Sequence, residues 1–215
     1  ARSEMCIRDR LTQMVLQSDT QAPKPAQHFV RIGSPWLTQV DAAKPNSVLL
    51  VSAPAATRSA VWGGLMTARA QSLGVQGVVL DGRCRDLSEH RASRFPVRGI
   101  LSRISNPQVF ARGHSVLGQS PFTRPSELEV PLEICDPTVP RGADGTPTFA
   151  PVVVHPGDVL LADIDGVVSV PQALAEEVVS LATEGRRVDD LCMADLRAGH
   201  GVRETFTKHR GRARQ

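Results

Sequence analysis

One stretch constrains the fold most, because it places a helical pattern between two short apolar runs. SVLLVSAP (47–54) is continuous, apolar and ends in proline, which is typical of a strand buried on both faces. TRSAVWGGLMTARAQSLG (57–74) has apolar residues at helical spacing and predicts a helix capped by Thr57 or Ser59 and stopped by its last glycine. VQGVVLDG (75–82) predicts a second strand that ends in an Asp-Gly turn. Together these segments predict a right-handed βαβ unit with parallel strands.

The second half of the chain predicts antiparallel strands followed by helices. APVVVHPGDVLLADIDGVVSVP (150–171) contains three apolar runs separated by turn formers, which is typical of an antiparallel meander. A helix should then begin at Pro171 and stop at Gly185, and a last helix should follow in VDDLCMADLRAG (188–199). Residues 94–145 are rich in Pro, Gly, Ser and Arg and predict loops with short strands. The fold class is therefore α/β.

Composition excludes several classes of protein. The formal net charge is only +3, so no general field for nucleic acid or membrane is expected. No apolar run approaches the ~18 residues of a membrane span, and the basic tail KHRGRARQ predicts a solvated, frayed terminus. The cysteines, Cys6, Cys84, Cys135 and Cys192, lack metal-type spacing. They predict reduced thiols in a cytoplasmic protein.

The N-terminal segment is excluded from the fold prediction. ARSEMCIRDR has no initiator methionine and no hydrophobic period. We expect residues 1–26 to be either unreliable sequence or a disordered segment, and the chain to be a fragment. Residues 27–211 should form a single domain.

A candidate site follows from the βαβ unit. Ligands bind beyond the carboxyl ends of parallel strands. Gly63 and Gly64 should weaken the start of the helix by ~1 kcal/mol each, but they allow an anion to approach its free amides. Arg85 and Asp86 follow the next strand and should share that edge. Amides, a guanidinium fork and a carboxylate able to hold Mg²⁺ would suit a 2-oxo acid. Tight helix–sheet packing and a surface charge pair are the alternatives.

Four segments of the chain resemble blocks of the RraA-like family, which includes class II 4-hydroxy-4-methyl-2-oxoglutarate aldolases and related oxaloacetate decarboxylases. The segments are GGLMTARAQSLGVQGVVLDGRCRDLSEH (63–90), VFARGHSVLGQSPFTRPSELEVPLEI (109–134), VHPGDVLLADIDGVVSVPQALAEEVV (154–179) and RAGHGVRETFTKHRG (197–211). The resemblance implies a swivelling β/β/α domain. It also implies a homotrimer with active sites near subunit interfaces, and a divalent metal, most simply Mg²⁺ with Mn²⁺ as the alternative.

The resemblance also implies roles for particular residues. Arg85 matches the catalytic and substrate-binding arginine, and Asp86 matches the metal ligand. The segment whose amides hold the substrate carboxylate matches Gly63, Gly64, Leu65 and Met66. The implied function is a metal-dependent lyase that generates pyruvate through an enolate, by oxaloacetate decarboxylation or aldol cleavage of 4-hydroxy-4-methyl-2-oxoglutarate. The alternative is a non-catalytic, RraA-type regulator that binds an RNA-degrading enzyme.

The chain departs from the family pattern at Gly64, in two segments, and at its N-terminus, where the family's helix and following strand have no clear counterpart. Many of the family's aldolases carry Asp or Glu at the position of Gly64, so a candidate acid/base group is missing and oxaloacetate decarboxylation should be the faster reaction. Residues 31–40 and 98–108 look like insertions relative to the family.

Overall fold

The computed structural model describes residues 11–18, 38–95, 97–98, 108–119, 122–135, 140, 142, 145, 148–163 and 165–211. The chain divides into two compact units, Ala1–Pro171 and Gln172–Gln215. The strands are Leu11–Ser18 (β1), Val48–Ser52 (β2), Ala60–Trp62 (β3), Gly77–Cys84 (β4), Val97–Arg98 (β5), Gln108–His114 (β6), Thr123–Leu128 (β7), Leu132–Ile134 (β8), Val152–Val154 (β9), Val159–Ala162 (β10) and Val167–Val170 (β11). The helices are Thr38–Asp41 (α1), Gly64–Ser72 (α2), Leu87–Ala92 (α3), Ala175–Arg197 (α4) and Val202–Arg210 (α5).

The first unit is built on a 7-stranded sheet of order β5-β6-β4-β2-β1-β7, in which β3 adds to the end of β4. Every pairing is parallel except that of β7 with β1. Strands β2 and β4 are direct parallel neighbours, with Val48 opposite Gly77, so the predicted βαβ unit is confirmed. Strand β1 lies inside the segment left out of the fold prediction. Strand β6 lies in the region predicted as loops with short strands.

Alternate residues of the central strands enter two separate hydrophobic cores. Leu49 and Val51 pack on the side of α1 and α2, together with Ala70. Val48 and Leu50 pack on the other side, where β8, β9 and β10 cover the sheet. A strand with period-two side chains buried on both faces is what the continuous apolar run predicts. The unit therefore has helix, sheet and β layers, which confirms the α/β fold class.

The predicted start of the first helix is wrong. The chain from Ala60 to Trp62 is strand β3, and α2 begins at Gly64 with Gly63 extended at its N-cap. Tertiary hydrogen bonds decide this: the Ala60 amide donates to the Leu117 carbonyl, and the Trp62 carbonyl accepts from the Arg85 amide. The helical spacing of Trp62 with later apolar residues is therefore coincidental.

The predicted turn at Asp81–Gly82 is also wrong, because strand β4 continues through Gly82 to Cys84. The register between β4 and β6 shifts after Leu80, and Gly82 lies within this irregular stretch. A Cβ on Gly82 would lie 3.2 Å from Val61 Cγ2 and 3.3 Å from Ala53 Cβ. Here glycine meets a packing requirement inside a strand.

The predicted meander is only partly confirmed. Strands β10 and β11 form the expected antiparallel hairpin. At its turn, Asp163 Oδ1 accepts hydrogen bonds from the amides of Asp165 and Gly166. Strand β9, however, pairs with β8 and not with β10. In the turn between β9 and β10, Asp158 Oδ2 accepts a hydrogen bond from the His155 amide. The two strands that this turn connects pair with different strands, β9 with β8 and β10 with β11.

The second unit contains a 3₁₀ turn, Gln172–Leu174, followed by α4 and α5. The predicted helix end at Gly185 is wrong, because α4 is 23 residues long and includes Gly185 in its interior. An interior glycine costs ~1 kcal/mol relative to Ala, which a long cooperative helix can absorb. Helix α5 was not predicted. It is tied to α4 by Lys208 and His209, each 2.8 Å from Asp195 Oδ2.

Some predictions fall on residues outside the described ranges. Cys6 lies outside them, and Cys84, Cys135 and Cys192 form no disulfide within them. Residues 31–37 and 99–107 of the apparent insertions and the end of the basic tail, 212–215, also lie outside. None of the helices in the described part of the chain has the length and apolarity needed to cross a bilayer.

Candidate active site

The predicted site residues come together at one edge of the sheet. Arg85 and Asp86 connect β4 to α3, and Gly63 and Gly64 form the start of α2. Strand β6 ends beside them at His114, and the following loop passes over the same edge. The expectation that these groups share the carboxyl ends of parallel strands therefore holds for their positions.

Asp86 has a left-handed backbone, with φ 61° and ψ 43°. Its Oδ2 atom accepts a hydrogen bond of 3.0 Å from the Gly64 amide. Gly63 has no side chain to cap α2, so a carboxylate from 22 residues further along the chain does so. Negative charge is favourable at the positive end of a helix. One oxygen of Asp86 is thus committed to holding the carboxylate in place.

The glycines of the site leave room for Arg85 and Asp86. A Cβ on Gly63 would lie 2.5 Å from Asp86 Oδ2 and 3.0 Å from Arg85 Nε. On the other side, a Cβ on Gly118 would lie 3.0 Å from Arg85 Nη1. Gly63 and Gly118 therefore form a slot for the arginine side chain. Gly118 was not predicted, because only the fold brings its loop to this edge.

Arg85 is half-exposed and keeps most of its donors. Its Nε atom is 3.6 Å from Asp86 Oδ2, and its guanidinium donates no hydrogen bond to the described residues. The loop carrying Gly118 is anchored just before this glycine. The Ser115 amide donates to the Cys84 carbonyl (2.9 Å), and the Leu117 carbonyl accepts from the Ala60 amide (2.8 Å). A guanidinium with free donors at this edge can bind a carboxylate.

The amides predicted to bind substrate are not equivalent. The Gly64 amide is bonded to Asp86, and the Met66 amide is bonded to the Gly63 carbonyl at 3.1 Å. The amides of Gly63 and Leu65 have no acceptor among the described residues. Leu65 is 78% exposed, whereas Gly63 is buried. Of the four amides, that of Leu65 is therefore the most accessible to a ligand.

A buried polar network lies directly beneath the site. Trp62 Nε1 donates to Thr67 Oγ1 at 2.8 Å, and Thr67 Oγ1 is 2.9 Å from His90 Nδ1. His90 Nε2 is 2.7 Å from the Arg85 carbonyl oxygen. Burial lowers the pKa of His90. The sequence did not predict a role for His90, because its hydrogen-bond partners, Thr67 in α2 and Arg85 after β4, are brought to it only by the fold.

Glu89 brings a second carboxylate to the site. Its side chain occupies the space into which a Cβ of Gly64 would project. Residue 64 is thus next to an acidic group although it carries none itself.

The donor set fits a weakly chelated hard cation. Mg²⁺ is commonly held by one or two carboxylates, with waters and substrate oxygens completing its shell. Asp86 supplies one such carboxylate. The described residues contain no group of three or more His, Cys, Asp or Glu side chains arranged as a complete metal cage. The substrate would therefore have to supply ligands.

A cavity of about 400 Å³ lies elsewhere, between the sheet and β10–β11. Its lining is mainly apolar, including Leu50 and Phe110. Its charged lining residues are Arg112, which is paired with Asp81, and Asp163 and Asp165 at the turn between β10 and β11. We place the candidate site at the edge of Arg85 and Asp86, because the residues matched by the family resemblance lie together there.

Comparison with known proteins identifies the class. The profile of the RraA-like family, described as Aldolase/RraA, matches residues 33–169, more than half of the chain. The chain therefore belongs to the RraA-like family, as its sequence blocks suggested. This family contains both aldolases and RraA proteins that inhibit RNA processing.

Individual relatives are distant. An uncharacterized protein of Methanocaldococcus jannaschii is 30% identical over 69% of this chain and 58% of its own length. A protein of Halalkalibacterium halodurans named "Putative 4-hydroxy-4-methyl-2-oxoglutarate aldolase" is 27% identical over 69% of this chain and 57% of its own length. The chain thus spans less than two thirds of these curated relatives.

Solved structures support the fold. An uncharacterized protein from Pseudomonas syringae has a TM-score of 0.65 at 23% identity, covering 92% of this chain and 76% of the other. RraAS2 of Streptomyces coelicolor, an unusual member of the RNase ES inhibitor RraA protein family, has a TM-score of 0.57 at 21% identity, covering 85% and 73%. At these identities the likeness concerns the fold alone.

Proposed function

We propose that this chain carries the active site of a divalent-metal-dependent C–C lyase that generates pyruvate from a small 2-oxo acid. The observation that carries the proposal is the arrangement of Arg85 and Asp86 at the N-terminus of α2, where Asp86 Oδ2 is 3.0 Å from the Gly64 amide. The name of the 27% identical relative agrees with a lyase. Oxaloacetate and 4-hydroxy-4-methyl-2-oxoglutarate are the substrates we consider.

Each group has a chemical task in this proposal. Arg85 would bind the substrate through its free fork and stabilise the negative charge that develops when the C–C bond breaks. The Leu65 amide, at the positive end of α2, would bind the substrate carboxylate. Asp86 would hold Mg²⁺ or Mn²⁺, which would supply Lewis-acid polarisation of the keto oxygen when bound. The Gly64 amide keeps the Asp86 carboxylate in place for that task.

Asp86→Asn tests the metal role. The amide oxygen of Asn can still accept from the Gly64 amide, so the cap of α2 should survive while the charge is lost. We expect Mg²⁺-stimulated pyruvate release, followed in a coupled assay with and without chelator, to be abolished while the circular dichroism spectrum is retained. Unchanged turnover and unchanged metal affinity would rule out this role.

Arg85→Lys tests the fork. A point charge cannot reproduce bidentate binding, so kcat/KM should fall roughly 10-fold or more. Arg83→Lys is the matched control, because Arg83 lies two residues earlier, in β4, and donates to the His114 carbonyl. Equal effects of the two substitutions, or none from either, would show that Arg85 is only a surface charge.

The competing function is that of a protein-binding regulator of an RNA-degrading enzyme. It predicts no pyruvate from any 2-oxo acid at any Mg²⁺ concentration. The homotrimer suggested by the resemblance remains part of the proposal and is open to sedimentation analysis.

A further inference from the structure

The backbone at Asp86 is held in a conformation that its residue type does not prefer. At φ 61° it lies in the left-handed region, which Asp tolerates better than most residues but which still carries strain. Such conformations persist only where surrounding contacts determine them, and they cluster at functional sites. Something near Asp86 must therefore hold it.

A simple motion would relieve the strain. Rotating the peptide between Arg85 and Asp86 by about half a turn would change the φ of Asp86 from positive to negative and so take it out of the left-handed region. The same rotation would turn the Arg85 carbonyl away from His90 Nε2, its partner at 2.7 Å. It would also move the Asp86 carboxylate relative to the Gly64 amide. The His90 hydrogen bond thus opposes the very rotation that the strain favours.

The network fixes which nitrogen of His90 donates. The Arg85 carbonyl can only accept, so His90 Nε2 must carry the proton. In the neutral ring Nδ1 is then an acceptor, and Thr67 Oγ1, 2.9 Å away, donates to it. Thr67 in turn accepts from Trp62 Nε1. His90 and Thr67 are fully buried and Trp62 nearly so, which leaves the imidazole one orientation.

We propose that His90 is a positioning residue, which locks the Arg85–Asp86 peptide and so holds the Asp86 carboxylate against the start of α2. Thr67 and Trp62 hold the imidazole in turn. The importance of this lock for catalysis rests on the proposed lyase function, but the lock itself is a property of the chain and can be measured without metal or substrate.

The Gly64 amide reports directly on the lock, because its hydrogen-bond partner is Asp86 Oδ2. The Met66 amide is an internal reference in the same helical turn, since it is bonded to the Gly63 carbonyl. In His90→Leu, which fills the space without donating, amide hydrogen exchange at Gly64 should quicken about 10-fold or more, with Met66 little changed. His90→Gln, whose amide can donate to Arg85, should restore much of the protection.

Catalysis provides a second readout. His90→Leu should lower kcat/KM for pyruvate formation by about 10- to 100-fold, the usual effect of removing a group that orients a ligand residue. His90→Gln should recover a large part of it. Nitrogen-15 spectra of the wild-type ring should show Nε2 protonated and Nδ1 unprotonated.

Three results would overturn the proposal: a proton on Nδ1, equal loss of protection at Gly64 and Met66, or full protection at Gly64 in His90→Leu. If His90→Leu does not fold, Thr67→Val compared with Thr67→Ser makes the same test, because only Ser keeps the hydroxyl. Selective loss at Gly64 in a protein that forms no pyruvate would support the lock and refute the lyase, so the two failures are distinguishable.

Discussion

Gly63→Ala separates the site from the fold. The backbone at Gly63 is extended, with φ −150° and ψ −178°, so alanine brings no backbone strain. Its methyl group, however, would lie 2.5 Å from Asp86 Oδ2 and 3.0 Å from Arg85 Nε. Real Cβ atoms essentially never approach an oxygen so closely, so the carboxylate must move away from the Gly64 amide.

The expected magnitudes differ sharply between stability and activity. Losing the cap of α2 costs about 1 kcal/mol, while replacing glycine in a compatible conformation returns roughly 0.4–1 kcal/mol through the unfolded state. The two nearly cancel, and for a chain of this size a residual 1 kcal/mol shifts Tm by only about 2–4 °C. Displacing Asp86 and Arg85 should lower kcat/KM by about 10- to 100-fold.

The assay combines thermal unfolding with coupled pyruvate formation. Gly185→Ala is the control, because nothing lies within 4 Å of the added Cβ in α4. It should raise Tm through better helix propensity, by up to ~1 kcal/mol, and leave activity unchanged. Wild-type kcat/KM in Gly63→Ala would refute the slot and with it the assigned geometry.

Two further predictions concern pH and substrate. Hydrogen bonds from Lys208, and then His209, lower the pKa of Asp195 from 3.8 to about 2. The wild type should therefore be more stable than Asp195→Asn above about pH 4, and lose this advantage as pH falls through about 2. A difference in urea midpoint that stays constant to pH 2 would contradict this. Oxaloacetate should have a higher kcat/KM than 4-hydroxy-4-methyl-2-oxoglutarate at one Mg²⁺ concentration, and a clear preference for the aldol substrate would make Glu89→Gln the next variant to measure.

The parts of the site that follow from chain order were predictable from sequence. The parallel pairing of β2 and β4 requires only two apolar runs and a helix between them, and it brings α2 and Arg85–Asp86 to one edge. The family resemblance added the roles of those residues. The family and the α/β fold are confirmed, whereas the roles themselves remain predictions.

What could not be predicted depends on contacts between distant segments. Ala60–Trp62 forms a strand because its backbone is hydrogen-bonded to residues distant in sequence. The Ala60 amide donates to the Leu117 carbonyl, and the Trp62 carbonyl accepts from the Arg85 amide. Gly118 was overlooked because a glycine in a loop carries no signal of what it faces. The stop expected at Gly185 failed since local propensity is weaker than the cooperativity of a long helix.

Position 64 shows that the absence of a carboxylate at one position of the sequence does not mean that the site lacks a carboxylate there. The expectation of slow aldol cleavage rests on Gly64 bringing no carboxylate. In the fold, the first turn of α3 places the Glu89 side chain where that of residue 64 would project. The backbone that holds Asp86 also sets this placement, because the Glu89 amide donates to the Asp86 carbonyl. Whether this chain has an acidic group beside its predicted metal ligand is thus decided by the turn at Asp86, and not by the residue at position 64.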